Sequence, residues 1–350
     1  MQTPCCGVAM QVGTDLVTKS LTIVVCSSPV PSNPQTHTLQ EIFASLKVVP
    51  ELNGCPKILH FDGPQPLLTE ARLQAYAEFK RRARVLVASR MEPAFYGTRV
   101  FSSRTFLFAA HNLIAAISHV NTTFLFSLQH DYSLARRFDA VGLLQTMLTV
   151  PVVRHVRLNM RPNAPARGFD GVIDNATLPG LRVPLTRTCG WSDAPHIAST
   201  EYYRKFVIPQ NLRDHNHGRR KFMEESVHYP MQRNGIKGGC WETKQHVKRG
   251  VRPIPWPADF DAYGTYLYGV ASPYDGNYVV HRSLRGNAPQ WGLGEHVWRA
   301  RRRGERSRAR SRGPGLPSHG TDTNSGEGQR SRPGISVDRG LGAIEKKPVR

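Results

Sequence analysis

Leu21-Thr-Ile-Val-Val-Cys26 is a run of apolar and β-branched residues with a single polar interruption at Thr22. A short run of this kind is typical of a strand that is buried on both faces of a sheet. It leads into Ser27-Ser-Pro-Val-Pro-Ser-Asn-Pro34, which is dense in turn-forming residues and therefore predicts a loop. The first buried strand thus ends at two serines, Ser27 and Ser28.

The segment after this loop predicts a helix and then a second strand. Thr38-Leu-Gln-Glu41 has the spacing of a capping box, and apolar residues follow at helical spacing as far as Leu46. Lys57-Ile-Leu-His-Phe61 predicts the second strand, which stops at Asp62-Gly-Pro64. Strand, helix and strand in this order form a βαβ unit, which implies a parallel sheet.

Helices and strands continue to alternate beyond this unit. Hydrophobic spacing predicts helices over 67–79, 106–120 and 138–148, and strands over 84–88, 123–128 and 152–160. The most apolar of these strands ends abruptly at Gln129-His-Asp131. Residues 161–190 are rich in Pro, Gly and Asn and predict a long loop, whereas 191–270 show little periodicity. The predicted fold class is α/β, with a mostly parallel central sheet flanked by helices.

Charge is concentrated at the carboxyl terminus of the chain. The formal net charge is +21, and from Val297 onward there are 14 Lys and Arg against 5 Asp and Glu with few bulky apolar residues. Such a segment cannot bury enough apolar surface to offset its chain entropy, so it is predicted to be disordered. We therefore divide the chain into an amino-terminal extension (1–20), an α/β domain (21–285) and a disordered basic tail (286–350).

The tail has two further interpretations. Its segment Arg299–Arg312 is a run of arginines, a composition that is typical of nucleic-acid binding or of nuclear addresses. Translation in a different reading frame would produce the same abrupt change of composition after about Gly286.

Cysteine spacing and hydropathy bear on the compartment. The six cysteines form no CxxC pair and resemble neither a zinc site nor a disulfide framework, so reduced thiols are expected: Cys5, Cys6, Cys26, Cys55, Cys189 and Cys240. No apolar run reaches 18 residues and no secretory signal is visible, so no membrane span is expected and a cytoplasmic location is the default expectation.

Polar residues stand at the ends of three predicted strands. They are Ser27 and Ser28 after the first strand, Asp62 after the second, and His130-Asp131 after the most apolar one. Ligands of open parallel sheets bind beyond the carboxyl ends of the strands, so these residues are candidates for a binding site. For a single residue such as Asp62, a turn or helix-capping role is the alternative.

A nucleoside-diphosphate sugar is a ligand that would suit these residues. Its diphosphate requires a divalent cation as charge develops on the leaving group, and Mg²⁺ or Mn²⁺ prefers hard oxygen ligands, while Mn²⁺ also accepts imidazole. Asp131 is therefore a candidate metal ligand, with His130 beside it. Asp62 would accept hydrogen bonds from the base or ribose, and Ser27 and Ser28 would line the nucleoside pocket.

The chain resembles a family 2-like glycosyltransferase of the nucleotide-diphospho-sugar transferase (GT-A) fold over about residues 20–270. Three segments carry the resemblance: Thr22-Ile-Val-Val-Cys-Ser-Ser-Pro29, Ile58-Leu-His-Phe-Asp-Gly63 and Phe124-Leu-Phe-Ser-Leu-Gln-His-Asp131. The resemblance implies a hexosyltransferase-like enzyme with a nucleotide-sugar donor, a carbohydrate or glycan acceptor and a divalent cation. The family's metal motif is Asp-x-Asp, and this sequence has only the last acid, in Gln129-His-Asp131.

The resemblance also implies a catalytic carboxylate downstream of the metal motif. Phe222-Met-Glu-Glu-Ser-Val-His228 is the best local match. Glu225, or otherwise Glu224, would deprotonate the acceptor hydroxyl, and His228 would be a further metal ligand. We favour Glu225 because it lies three positions from His228 and so shares a helix face with it. The alternative for this segment is a solvated acidic helix face.

Trp191-Ser-Asp193 lies between the two motifs, where such enzymes bind acceptors. Trp191 would stack on a sugar ring, or else belong to the core. Asp193 would contact the acceptor and is the next candidate for the base.

Two other functions remain open at this stage. One is a basic nucleic-acid-binding protein that uses the arginine-rich tail, and the other is a catalytically inactive member of the transferase fold. The Golgi lumen, where many eukaryotic relatives of this fold work, is the alternative to a cytoplasmic location.

Overall fold

The first compact unit of the chain is Met1–Gly294. The computed structural model describes residues 5–30, 32–89, 91–164, 171–213, 222–234 and 261–281, all of them in the first unit. The predicted tail 286–350, its arginine run and the question of its disorder therefore lie outside the described residues.

The described strands and helices alternate in the first half of the chain. The strands are β1 (Leu21–Ser27), β2 (Lys57–Phe61), β3 (Thr98–Ser102), β4 (Phe124–Gln129), β5 (Tyr132–Leu134), β6 (His155–Arg157), β7 (Val172–Asn175), β8 (Leu185–Thr188), β9 (His196–Ser199), β10 (Thr265–Tyr268) and β11 (Val279–His281). The helices are α1 (Cys5–Ser20), α2 (His37–Ser45), α3 (Glu70–Ser89), α4 (Phe108–Ile117), α5 (Ala140–Thr149), α6 (Thr200–Tyr202), α7 (Ile208–Arg213) and α8 (Met223–Asn234). A π-helical turn, Tyr203–Val207, joins α6 to α7.

A nine-stranded sheet forms the centre of the described structure, in the order β3-β2-β1-β4-β9-β6-β10-β8-β7. Strands β3, β2, β1 and β4 are parallel neighbours, whereas β9 runs antiparallel to both β4 and β6. A separate antiparallel pair, β5 and β11, lies outside this sheet. The prediction of an α/β fold with a mostly parallel central sheet flanked by helices is confirmed.

Helices cover both faces of the sheet, and successive side chains of the central strands point alternately toward one face and the other. Ile23 and Val25 of β1 belong to one buried cluster, and Val24 between them belongs to another. The first cluster includes side chains of α1, α2, α3 and α5, and the second includes side chains of α4, the π-helical turn and α8. Both faces of β1 are therefore covered, which explains its almost unbroken apolar sequence.

Two predicted elements are wrong. The segment 84–88, predicted as the third strand, is the last part of α3, and the third strand is Thr98–Ser102. The predicted long loop 161–190 contains β7 and β8, which pair with each other at the edge of the sheet. Both errors arise because a segment of four or five residues is too short for its hydrophobic periodicity to distinguish a strand from a helix or a loop.

Residues 5–20 form helix α1, and its Val17 is fully buried in the core. Two smaller expectations differ from the structure. The N-cap position of α2 is Thr36, which makes no side-chain capping hydrogen bond, so the predicted capping box at Thr38 does not form. Cys26 and Cys55 are free thiols as expected, but Cys189 is in a disulfide bond.

Lys57 is a buried lysine at the first position of β2. Its Nζ donates to the carbonyl oxygens of Asn53 (2.9 Å), Cys55 (3.2 Å) and Tyr96 (3.0 Å), and burial lowers its pKa. Replacing Lys57 by Met should lower the free energy of unfolding by about 1–3 kcal/mol, because buried acceptors lose their donor. Urea unfolding measures this, with Lys47→Met as the exposed control; equal midpoints for the two variants would contradict the account.

Candidate functional site

The residues predicted to bind a ligand lie where β1, β2 and β4 end. Ser27 is the last residue of β1, Asp62 follows β2, and His130 and Asp131 follow β4. Because β1 pairs in parallel with both β2 and β4, these ends meet at one edge of the sheet. We call it the carboxyl edge, and the structure places the polar strand ends of the sequence there.

Asp131 is held by a histidine from the far end of the described chain. Its Oδ2 accepts a hydrogen bond from Nε2 of His281 at 3.0 Å, which raises the pKa of that imidazole. The contact is possible because β11 pairs with β5, with His281 opposite Tyr132. The other oxygen of Asp131, Oδ1, is buried and has no hydrogen-bond partner within the described ranges.

His130 is oriented by the end of β1. Its Nδ1 lies 3.2 Å from the carbonyl oxygen of Cys26 and must donate to it, so in the neutral ring Nε2 carries a lone pair. Among described residues, Nε2 has no hydrogen-bond partner, and it is buried. Metal-binding histidines commonly donate their other ring nitrogen to a backbone carbonyl in this manner.

Asp62 joins the loop after β2 to the loop before α4 at the carboxyl edge. Its Oδ1 accepts hydrogen bonds from the backbone N–H groups of Gly63 and Leu107, both at 2.7 Å. Burial raises the pKa of the Asp62 carboxyl group, and these backbone donors oppose the rise. Ser27 is buried at the neighbouring strand end and Ser28 is half-buried.

A group of carboxylates lies where β9 begins, next to β4. Burial and the nearby Glu224 raise the pKa of Asp193 to about 7, and Glu225 contributes in the same direction. Ser192 Oγ donates to Glu224 at 2.8 Å, and Gln129 at the end of β4 donates to the backbone oxygen of Asp193 at 3.3 Å. The structure therefore brings together the predicted acceptor residue Asp193 and the two predicted base candidates.

Trp191 and His228 lie differently from what the sequence predicts. Trp191 is fully buried, and its ring stacks on that of His155 with centroids 4.9 Å apart, so its core alternative describes the structure and no face is open to a sugar. His228 is also buried, and its Nδ1 donates to the backbone oxygen of Trp191 at 2.9 Å.

The predicted metal ligands do not form a single three-residue site. Within the described ranges, no group of three or more His, Cys, Asp or Glu is arranged to hold a metal ion. Asp131, His130 and His228 are therefore not gathered as one ligand set, and the partner that the structure gives Asp131 is His281.

Comparison with known proteins gives only distant structural likenesses. No protein-family model and no curated protein matches the chain. TarS from S. aureus in complex with UDP-GlcNAc has a TM-score of 0.35 and 10% identity, over 53% of this chain and 46% of that chain. A second S. aureus TarS structure has a TM-score of 0.31 and 11% identity, over 53% and 29%.

The chain spans less than half the length of these TarS chains. Overlaps at these TM-scores carry no conclusion about family or activity. The described helices include none with the length and apolar character that a membrane crossing requires.

Two buried histidines, on the neighbouring strands β6 and β9, lie against Trp191. The rings of His155 and His196 are 4.3 Å apart, and His196 accepts from Tyr203 Oη at 2.7 Å while donating to the backbone oxygen of Ala194 at 2.7 Å. Burial lowers the pKa of His196 to about 4 and that of His155 well below its usual value.

These histidines should make the fold sensitive to acid. The unfolded chain protonates histidine near pH 6.5, so it binds more protons than the folded chain between about pH 6.5 and 4. As the pH is lowered through this window, the free energy of unfolding should fall by up to about 1.4 kcal/mol per pH unit for each histidine. Asp193 acts in the opposite direction because its pKa is raised.

Comparing two chains isolates the histidine contribution. Urea unfolding between about pH 4 and 6.5 should show a shallower pH dependence for His196→Gln than for the parent. Parallel pH profiles for the two chains would contradict the account, because they would show that folding does not lower the pKa of His196.

His281 is the residue of the site that the sequence analysis does not identify. It ends the short run Tyr278-Val-Val-His281, which belongs to a segment without clear periodicity. A β-branched run that ends in a histidine is the only local signal, and it is too common to single out His281.

Proposed function

We propose that the chain is a glycosyltransferase that moves a hexose from a nucleoside-diphosphate sugar to a hydroxyl group of a carbohydrate acceptor. The observation that carries the proposal is Asp131. It lies at the end of a central strand, with one oxygen held by His281 and the other buried without a partner in the described part of the chain. A carboxylate in this state suits a cation that is shared with a diphosphate.

The residues present fit a Mg²⁺ or Mn²⁺ ion of this kind. Such ions are commonly held by one or two carboxylates together with substrate phosphates, so a three-residue protein site is not required. Asp131 would supply the oxygen ligand, and His281 or His130 would supply an imidazole, which Mn²⁺ accepts. The bound cation would neutralise negative charge on the departing nucleoside diphosphate.

The carboxylates near β9 supply the proton chemistry in this proposal. Glu225 takes the proton of the acceptor hydroxyl, whose oxygen forms a bond to the anomeric carbon as the bond from that carbon to the phosphate oxygen breaks. Glu224 is engaged by Ser192 and Asp193, so it orients the segment. Asp193 contacts the acceptor and is the alternative base, since a pKa of about 7 suits proton transfer near neutral pH.

The donor would lie along the carboxyl edge from β4 to β2. Its diphosphate would be near Asp131, and its nucleoside would extend over Ser27, Ser28 and Asp62, the residues at the two neighbouring strand ends. This direction follows the general rule that nucleotides bind across the strand ends of such sheets.

The disulfide of Cys189 bears on the compartment. Disulfides persist in oxidising compartments and are rare in the cytosol. We therefore favour the Golgi lumen, or another oxidising compartment, over the cytoplasm for the proposed enzyme.

A thermal-shift screen of nucleotide sugars with and without Mn²⁺ tests the proposal. UDP-GlcNAc is the first probe. A donor at 100 times its dissociation constant should stabilise the fold by about 2.7 kcal/mol, and only with Mn²⁺ present. If no nucleotide sugar raises the melting temperature under either condition, the proposal is wrong.

A further inference from the structure

Phe106 and Phe108 form an aromatic pair where the loop after β3 enters α4, whose first residue is Phe108, and Phe106 is half-buried. Their ring centroids are 4.3 Å apart with the ring planes at 57°, and Phe108 is 40% exposed. Aromatic side chains usually contribute stability through burial. Leu67, on the loop that follows Asp62, is 97% exposed. Packing therefore does not explain why large apolar side chains are placed here.

The aromatic pair is fixed to the end of β2. Leu107, between the two phenylalanines, donates its backbone N–H to Asp62 at 2.7 Å. The adjoining Gly63 packs so closely that a Cβ there would lie 2.1 Å from the carbonyl carbon of Thr105. The pair is thus held at the strand end that the proposed function assigns to the donor nucleoside.

Phe108 has a strained backbone as well as an exposed ring. Its φ angle is +61°, in the left-handed region that bulky residues rarely adopt. Strain of this kind persists where the surroundings impose it, and it is concentrated at ligand sites. A glycine would adopt this conformation without strain, but it would provide no ring.

We infer that Phe108, together with Phe106, stacks on the nucleobase of the donor. This inference rests on the proposed function and adds how the base is recognised. Oδ1 of Asp62 accepts from two backbone donors and Oδ2 is buried, so the exposed ring of Phe108 is the surface that a base can reach at this strand end. Every nucleobase offers an aromatic face, so the site should discriminate little between bases.

Nucleotide binding by calorimetry with Mn²⁺ tests the inference. The parent chain should bind UDP, GDP and ADP with dissociation constants within about tenfold of one another. Phe108→Gly should weaken each by about tenfold, the effect of losing one stacking partner, while its melting temperature stays the same or rises. Phe108→Tyr should retain the affinity, because it keeps the ring.

Tyr96→Ala is the matched control, since Tyr96 is an aromatic residue that is 50% exposed at the opposite edge of the sheet. It should bind all three nucleotides like the parent. If the parent binds nucleotides and Phe108→Gly binds them equally well, the aromatic pair is not the base site, although the proposed function stands. A parent preference for one base of more than about a hundredfold contradicts recognition through the face. If the parent binds none of the three, the proposed function fails, and this inference fails with it.

Discussion

Asp131→Asn should abolish Mn²⁺-dependent binding of UDP while leaving the chain folded. The substitution keeps the size of the side chain but removes the negative charge at the end of β4. Replacing groups that only support a metal ligand costs about 10–100-fold in metal affinity, so loss of the carboxylate itself should cost at least about a hundredfold. Calorimetric titration of UDP with and without Mn²⁺ measures the effect.

Asp15→Asn is the control for this substitution. Asp15 is exposed on α1, where it pairs with Lys19, and α1 leads into the opposite edge of the sheet. It undergoes the same chemical change and should bind UDP and Mn²⁺ like the parent. Equal binding by Asp131→Asn and Asp15→Asn would remove Asp131 from the donor site.

Glu225→Gln should lower the rate of sugar transfer by about 10²–10⁴-fold, the usual cost of removing a general base. Glutamine is nearly the same size but cannot take a proton at neutral pH. Donor binding should persist, because the base acts on the acceptor hydroxyl. Turnover and donor affinity, measured separately with the donor found in the thermal-shift screen, give both quantities.

Two matched variants sharpen this result. Glu224→Gln should reduce turnover less than Glu225→Gln, since we assign Glu224 to orienting the segment through Ser192. Glu201→Gln, an exposed residue paired with Lys205, should behave like the parent. If Glu225→Gln transfers sugar at the parent rate and Asp193→Asn does not, Asp193 is the base.

The sequence predicts the strands that are buried on both faces. Strands β1, β2 and β4 have no exposed residue, and each contains an apolar run, although β2 also holds the buried Lys57 and His60. Strand β3 is at the edge of the sheet, and its residues are half-buried or exposed, which leaves no such run. The apolar residues of 84–88 belong instead to a long helix, and a five-residue window cannot distinguish the two structures.

Because the buried strands can be recognised in the sequence, their ends can be predicted as well. The contacts between distant segments cannot. Once β1, β2 and β4 are assigned, parallel pairing alone brings Ser27, Asp62 and Asp131 to one edge. The contact of Asp131 with His281 spans 150 positions and depends on the register of β5 and β11, each only three residues long. No local pattern records that register.

Trp191 illustrates a different limit of the sequence. A tryptophan can stack on a sugar ring or pack in the core, and only packing decides between the two roles. Its ring lies among His155, His196 and Tyr203, all fully buried, so Trp191 belongs to the core. The carboxylates next to it remain the candidates for contact with an acceptor.

A crystal of the chain grown with UDP and Mn²⁺ tests the central claim most directly, through the anomalous scattering of manganese. We predict one strong anomalous peak at bonding distance from an Asp131 carboxylate oxygen and from the diphosphate, with an imidazole nitrogen of His281 or His130 as a further ligand. The nucleoside should extend from that peak toward Asp62. A peak remote from Asp131, or UDP bound away from the carboxyl edge, would contradict the account.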